Sequence, residues 1–400
     1  MSTDPRNRAW LEVDASAIRA NFLAVRSAVG EESRIVAMVK ADAYGLGALE
    51  TVRTLEPLGP WGYGVATVEE GAQLRRAGIQ RPVILVSPLP PGAEVAAVTE
   101  GLTASVSHVQ GLERLLEAFD EVKAGVEGGT VVAPAFHLEV DTGMGRAGVP
   151  WQELPALLPR FRELAQRSGA VLEACFTHFH SADARGGEES VLEQWDRLTQ
   201  ALEGLPSDCL PSDRLRDGGK SREPWIHAAN SAAIFRSKAV TAHGCRPGIF
   251  LFGGRPGEDL PTPSPVVSLR ARIVRVEEVA PGSTVGYGAT HRARGKEWWA
   301  TVAVGYGDGL RRLLSNRGEA VFRGVRVPIV GRISMDLTVV ECSSAMGGDP
   351  PRVGEVVTFL GEDDAAAVSL EEMAEWANTI HYEILTGFSP RLPRIWHATQ

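Results

Sequence analysis

The apolar run Ile35-Val36-Ala37-Met38-Val39 ends in Lys40 and passes into Ala41-Asp42-Ala43-Tyr44-Gly45-Leu46-Gly47. A short β-branched run reads as a buried strand, and the glycines after it read as a tight loop. The spacing therefore puts a lysine at the carboxyl end of a buried strand, an uncommon place for a charge. Partial desolvation weakens an amine's preference for its ammonium form, so such a lysine can act as a nucleophile or form a Schiff base with a carbonyl. On this stretch alone, a lysine that snorkels from a strand end to solvent is the competing reading.

Other apolar runs end in chemically capable residues too. Glu139-Val140-Asp141-Thr142-Gly143-Met144-Gly145-Arg146 closes one, Thr177-His178-Phe179 another and His227-Ala228-Ala229-Asn230-Ser231 a third, while Arg246-Pro247-Gly248-Ile249 opens the last. Lysine, tyrosine, histidine, serine and arginine converging on one rim suit a phosphate-bearing carbonyl cofactor held as a Schiff base. His178-Phe179-His180 is the one close histidine pair, and strand alternation would point both rings the same way. No carboxylate cluster accompanies it and no H-E-x-x-H occurs, so no metal is expected. A Walker-type loop is also absent.

The elements that must position these residues alternate from about residue 11 to residue 255. Candidate strands are Ile35–Lys40, Gly62–Thr67, Pro82–Ser87, Leu102–Ser107, Ala135–Val140, Leu172–Phe179, Trp225–Ala229 and Gly248–Gly253. Helix-like stretches such as Val68–Ala77, Ser107–Phe119, Trp151–Arg167 and Ser190–Leu202 lie between them. Eight strands alternating with helices over roughly 250 residues is the count and size of a (β/α)8 barrel, whose active sites form at the carboxyl ends of the strands. A doubly wound sheet is disfavoured because no G-x-G-x-x-G follows the first strand. A polar segment, Ser207–Glu223, reads as an exposed loop before the seventh strand.

Beyond Gly253-Gly254 the chain changes character. Arg255 to Pro265 reads as a linker. Strand-like runs follow at Val266–Val279, Trp298–Tyr306, Ala320–Arg326 and Val353–Leu360, with a short helix near Ser369–Ala377 that carries Glu371 and Glu372 in its first turn. The expected architecture is an α/β TIM-like barrel over residues 1–255, followed by a mostly β domain over residues 256–400.

A chain of 400 residues with 44% hydrophobic composition can build two sizeable cores. Its net charge of −9 argues against nucleic acid or an anionic membrane as a partner. No apolar run approaches the roughly 20 residues of a membrane span, and the polar start Met1-Ser2-Thr3-Asp4-Pro5 does not read as a signal peptide. Cys175, Cys209, Cys245 and Cys342 are far apart and form no C-x-x-C pair. That usage suits a reduced, cytoplasmic enzyme.

Val39-Lys40-Ala41-Asp42-Ala43-Tyr44-Gly45-Leu46-Gly47 closely resembles the pyridoxal-phosphate attachment motif of bacterial alanine racemases, and the resemblance extends over nearly the whole chain. In the barrel it includes Asp141-Thr142-Gly143-Met144-Gly145-Arg146, His227-Ala228-Ala229-Asn230-Ser231 and Arg246-Pro247-Gly248-Ile249. In the β domain it includes Gly286-Tyr287-Gly288-Ala289, Gly305-Tyr306-Gly307-Asp308-Gly309, Gly331-Arg332-Ile333-Ser334-Met335-Asp336 and Tyr382-Glu383-Ile384-Leu385. These motifs occur in the family's order and spacing.

The resemblance implies a cytoplasmic homodimer that interconverts L- and D-alanine, supplying D-alanine for peptidoglycan. Each active site would lie between one barrel and the partner's β domain. Lys40 would hold pyridoxal 5'-phosphate as an internal aldimine and then serve as one of two bases. Racemisation removes a proton from one face of the α carbon and returns one to the other, and Tyr287 matches the second base. A phenol needs nearby positive charge to ionise at neutral pH, which the resemblance assigns to His178 and Arg246. Arg246 would face the cofactor's pyridine nitrogen. A guanidinium only donates hydrogen bonds, so that nitrogen would stay unprotonated and side reactions such as transamination would be suppressed.

Tyr44, Ser231, Gly248, Ile249 and Tyr382 match positions that hold the phosphate. Arg146 matches the residue that contacts the substrate carboxylate and the cofactor's ring oxygen, and Met335 offers its backbone N–H to the same carboxylate. Tyr306 and Asp336 match the narrow entry. The chain departs from the family where many members carry a carbamylated lysine: here stands Glu139, which would orient Arg146 directly through a charge-assisted pair or through a water. Ser334 replaces a frequent cysteine, and Asp42 and Leu46 replace an asparagine and a histidine. The alternatives are a racemase of serine or another small amino acid, and a non-catalytic pyridoxal-phosphate-binding barrel; the latter lacks a β domain.

Overall fold

The computed structural model describes residues 4–126, 132–203, 225–241 and 243–398. Cys209 and the Ser207–Glu223 segment lie outside the described residues.

Parallel strands form a nearly closed ring. They are Arg34–Met38, Gly62–Val65, Val83–Leu85, Thr103–Val106, Ala135–Asp141, Val171–Phe176, the interrupted pair Trp225–His227 and Ala229–Asn230, and Gly244–Arg246. The last strand returns to the first through the pairs Gly244↔Arg34 and Cys245↔Ile35. Trp225–His227 pairs back to Val171–Phe176, while Ala229–Asn230 pairs forward to Cys245 and Arg246, so the break at Ala228 lets one strand join both neighbours.

The eighth strand is Gly244–Arg246 and not Gly248–Gly253, which corrects the reading from the sequence. Pro247 has no N–H with which to continue a ladder, so the strand ends just before it. Ile249–Phe252 instead forms a 3-10 turn whose four side chains are all buried. Burial on every side gives a continuous apolar run, the same signal as a buried strand. The correction moves Arg246 from the start of that strand to its carboxyl end.

Ala9–Asp14 belongs to the β-rich sheet, pairing antiparallel with Val267–Ala271 and parallel with Arg394–His397. Asp14 then caps helix Ala15–Val29, accepting from Ser16 N at 2.7 Å and Ala17 N at 3.2 Å. The chain thus enters the barrel from the neighbouring sheet. The long strand Val267–Val279 is the spine of that sheet, bonded to Ala9–Asp14, Glu297–Val302 and Val356–Asp363.

Two short helices follow. Leu370–Trp376 begins with a capping box between Ser369 and Glu372. His381–Thr386 carries Tyr382 to the mouth of the barrel, where the Leu385 carbonyl approaches Gly45 so closely that a Cβ there would lie 2.6 Å from it. One continuous apolar cluster runs through barrel and β-rich sheet alike. Among the described residues, no helix is long and apolar enough to cross a membrane.

Candidate active site

Lys40 stands two residues after the first barrel strand and opens an unusual turn. Ala41, Asp42, Ala43 and Tyr44 all adopt φ between 52° and 57°, a left-handed conformation in four successive residues that are not glycine. Each such residue costs roughly 1–2 kcal/mol, so the turn must be held from outside. Glu70 Oε1 accepts from Ala41 N at 2.6 Å, and Asp42 Oδ1 accepts from Ala48 N at 2.7 Å at the start of helix Ala48–Leu55. Arg394 donates to the Gly45 carbonyl through Nε at 3.0 Å and Nη2 at 2.8 Å. Asp42 thereby gains a structural account: its carboxylate is the acceptor at that helix start.

The turn leads into a cavity of about 600 Å³ at the carboxyl ends of the strands. Lys40, Tyr44, Glu139, Arg146, His178, Ser231, Arg246, Gly248, Ile249 and Tyr382 all line it, joined by Met38, Phe176 and Asn230. Burial lowers the proton affinity of the Lys40 amine, and the guanidinium groups of Arg146 and Arg246 lower it further, against a smaller opposing pull from Glu70.

Arg246 is the most heavily bonded of these groups. Nη1 donates to the His227 carbonyl at 2.5 Å and to His227 Nδ1 at 2.6 Å. Nη2 donates to the Thr177 carbonyl at 2.8 Å, the Ala228 carbonyl at 3.3 Å and His178 Nδ1 at 3.4 Å. Burial brings its pKa down to about 10, so it remains a cation at neutral pH. A cationic guanidinium can only donate, and His178 Nδ1 must therefore accept. Burial and then the charges of Arg246, Arg146 and Lys40 push the His178 imidazole down to about 3. The ring is neutral and carries its proton on Nε2.

Also lining the cavity, Ser231 Oγ accepts from Gly248 N at 2.9 Å and Phe250 N at 3.4 Å. Gly248 is required there by space: a Cβ would lie 2.1 Å from the Tyr44 hydroxyl. The rings of Tyr44 and Tyr382 lie 6.1 Å apart. Burial raises the proton affinity of both phenols, Tyr382 to about 12, so both hydroxyls are donors at neutral pH.

Glu139 is buried, and its partner is Ser107, whose Oγ donates to Oε2 at 2.8 Å. Among the described residues no hydrogen bond or ion pair joins it to Arg146, contrary to the direct pair expected from the sequence. Arg146 sits exposed on the glycine-rich turn that Asp141 Oδ1 organises by accepting from Gly143 N at 2.9 Å and Gly145 N at 3.1 Å. The two side chains line the same cavity. Burial pushes the Glu139 carboxyl up, while Ser107, Arg246 and Arg146 pull it back.

Tyr287, Met335, Tyr306 and Asp336 do not line this cavity. Tyr287 is 68% exposed and Met335 52% exposed on the β-rich part of the chain. Tyr306 belongs to the turn Tyr306–Asp308, anchored by the buried Asp308 carboxylate, which accepts from Arg8 Nη1 at 2.9 Å and Gly305 N at 3.0 Å. Asp336 pairs with Arg391 at 2.7 Å.

Glu70 and His137 lie outside the runs picked out from the sequence, whereas Thr177 and His227 fall inside them; Glu70 holds the turn beside Lys40, Thr177 and His227 accept from Arg246, and His137 bonds His227. His227 and Asn230 fall inside a quoted motif, which was the available signal; Asn230 Oδ1 shapes the following turn by accepting from Ala232 N at 3.1 Å and Ala233 N at 3.0 Å.

Comparison with known proteins agrees with this geometry. Residues 13–256 match the alanine racemase N-terminal domain, and residues 266–396 match the alanine racemase C-terminal domain. The chain belongs to the alanine racemase family. Relatives from Halothermothrix orenii and Geobacter sulfurreducens, both named alanine racemase, are each 36% identical over 96% of either chain. Among solved alanine racemases, that of Streptomyces coelicolor superimposes with a TM-score of 0.86 at 29% identity, covering 99% of each chain. The alanine racemase of Bartonella henselae, described with covalently bound pyridoxal phosphate, gives 0.82 at 27% identity and covers 98% of this chain and 99% of that one.

Proposed function

We propose that the protein interconverts L- and D-alanine with pyridoxal 5'-phosphate, using Lys40 and Tyr287 as bases on opposite faces of the substrate. The observation that carries this reading is the cavity itself. It brings together one desolvated lysine under the influence of two guanidinium groups, two protonated phenols, a serine and a glycine-bounded turn.

The residues present fit the cofactor. Tyr44, Ser231, Tyr382 and the backbone of Gly248 and Ile249 would hold a phosphate dianion, which needs donors, and the space above Gly248 is kept free of a side chain. Lys40 offers the amine for a carbonyl, and Arg246 offers a donor to a ring nitrogen. When bound, the cofactor supplies a conjugated system that stabilises negative charge on the α carbon of an amino acid.

Lys40 Nζ takes or returns the α proton on one face. Burial and the nearby guanidinium groups lower its proton affinity, which favours the free amine relative to an exposed lysine. Arg146, on its glycine turn, binds the substrate carboxylate together with the Met335 backbone N–H. Tyr287 Oη takes or returns the proton on the other face. His178, neutral with a proton on Nε2, is a donor that would stabilise the Tyr287 phenolate.

Tyr287, Met335, Tyr306 and Asp336 act in a second copy's cavity in this reading, so the working unit is a homodimer. Supporting it, Tyr287 and Met335 are well exposed, and a site made from one copy would lack its second base. Cytoplasmic operation and a supply of D-alanine for peptidoglycan belong to the same proposal.

Chiral chromatography of the cofactor-loaded protein, incubated separately with L-alanine and L-serine, tests the substrate. D-alanine forming much faster than D-serine is expected. Faster D-serine formation would keep the chemistry and change the substrate, and racemisation of neither would overturn the proposal.

A further inference from the structure

A file of buried polar side chains runs from Arg246 down the inside of the barrel. Arg246 Nη1 lies 2.6 Å from His227 Nδ1, His227 Nε2 lies 2.9 Å from His137 Nδ1, and His137 Nε2 lies 3.0 Å from Glu173 Oε2. Both imidazoles are completely buried, whereas the Glu173 side chain is 30% exposed. Aromatic rings enclose the file: Phe176 stacks on His227 at 4.8 Å, and Trp225 lies 4.7 Å from His227 and 5.6 Å from His137. Arg34, 5.0 Å above the Trp225 ring, is the other charge near its lower end.

The polarity of the file follows from its ends. Arg246 can only donate, so His227 Nδ1 is bare and its proton is on Nε2. That proton is donated to His137 Nδ1, which leaves the His137 proton on Nε2, donated to the Glu173 carboxylate. Every donor points the same way. Chains of this kind polarise one another in a low-dielectric interior.

A defect in the sheet supplies the carboxylate. The pairing of Ala135–Asp141 with Val171–Phe176 slips between Phe136↔Leu172 and His137↔Ala174, so Glu173 is the extra residue of a bulge. Bulges re-aim a side chain, and here the bulged residue meets His137.

We propose that Glu173 and His137 are positioning residues for Arg246, a directed relay that fixes both histidine tautomers and extends a negative countercharge to the buried guanidinium. The inference rests on the proposed function in one respect only, the catalytic use of Arg246. Both imidazoles resist protonation because they are buried, with Glu173 opposing this at His137, which keeps the relay neutral between its charged ends.

Nitrogen-15 histidine spectra of the cofactor-loaded native protein test the relay without reference to turnover. His137 and His227 should both be neutral at pH 7 with protons on Nε2; an Nδ1 proton or an imidazolium on either would overturn it. In Glu173→Gln, the amide oxygen still accepts from His137, so the fold is preserved while the charge is lost. The His227 Nε2 resonance should move with that of His137, and kcat should fall about three- to tenfold with little change in KM. A His227 resonance that stays put, or an unchanged kcat in the folded variant, would reduce Glu173 to a local structural role and overturn the proposal. Failure to racemise any amino acid, with the tautomers as stated, would instead count against the proposed function.

Discussion

Glu70 Oε1 accepts from Ala41 N at 2.6 Å while Oε2 accepts from Ala66 N at 2.8 Å, so one half-buried carboxylate ties the turn beside Lys40 to the loop after the second barrel strand. Ala41 is the first of the four left-handed residues, and Glu70 also caps its own helix with Thr67. A Glu70→Gln variant retains one acceptor and loses the charge-assisted pair. It should lower stability by about 1–3 kcal/mol, read as a fall in Tm, and weaken cofactor loading on Lys40. Unchanged Tm and loading would mean that the turn holds itself.

Gly248→Ala should damage cofactor binding specifically. The added Cβ would meet the Tyr44 hydroxyl at 2.1 Å, forcing that ring away from the Gly248 backbone. Loss of one charge-assisted donor to a phosphate corresponds to about a tenfold or greater rise in the Kd for pyridoxal phosphate, measurable by fluorescence titration. Wild-type affinity would show that Tyr44 does not hold the phosphate.

Glu139→Gln tests the carboxylate that stands in place of a carbamylated lysine. It neighbours Arg146 without a direct bond, so its influence is electrostatic and moderate. The KM for alanine should rise about two- to fivefold with kcat nearly constant. Equal steady-state constants would remove Glu139 from substrate binding.

Acid should destabilise the fold through its histidines. His137, His178 and His227 hold proton affinities below the ordinary imidazole range, burial being the leading cause for each and Arg246 contributing to all three. Unfolding restores an ordinary pKa of about 6.5, so below that pH the unfolded chain binds protons that the folded chain refuses. Their contribution is complete above about pH 6.5 and is lost as pH falls towards the folded value, about 3 for His178. His178 accounts for about 1.4 kcal/mol per pH unit inside its window, and His137 and His227 act in the same direction. Denaturant midpoints measured from pH 7 to pH 5 should fall steadily; a flat profile would contradict the neutral, buried imidazoles.

Tyr287→Phe should act unequally on the two enantiomers. Loss of the α proton of L-alanine to solvent should slow more than loss from D-alanine, because Lys40 remains to serve the other face. Equal slowing, followed by proton exchange in each direction, would refute the assignment of Tyr287 to one face.

Much of the site was legible because its residues break local rules. A charge ending the apolar run Ile35–Val39 is visible without any coordinates, and so are the glycines around Arg146 and Gly248. The left-handed turn was not legible, because Ala41-Asp42-Ala43-Tyr44 contains no glycine and its support comes from Glu70 and Arg394, far along the chain. The eighth strand was misplaced because Ile249–Phe252 is buried on all sides and so carries no period. Glu173 meets His137 only through a bulge, and a bulge follows from sheet pairing instead of from the residues themselves. Ala9–Asp14 was included in the barrel, residues 1–255, because position along the chain does not say which sheet a segment joins.

The most direct test follows L-alanine in deuterated water with the cofactor-loaded protein, reading optical activity and the α-proton signal together. Exchange on both faces predicts that optical activity decays to zero, that alanine is conserved, and that the D-alanine formed carries deuterium at its α carbon. Alanine that keeps its optical activity, or loses it only by conversion to a keto acid, would contradict the account.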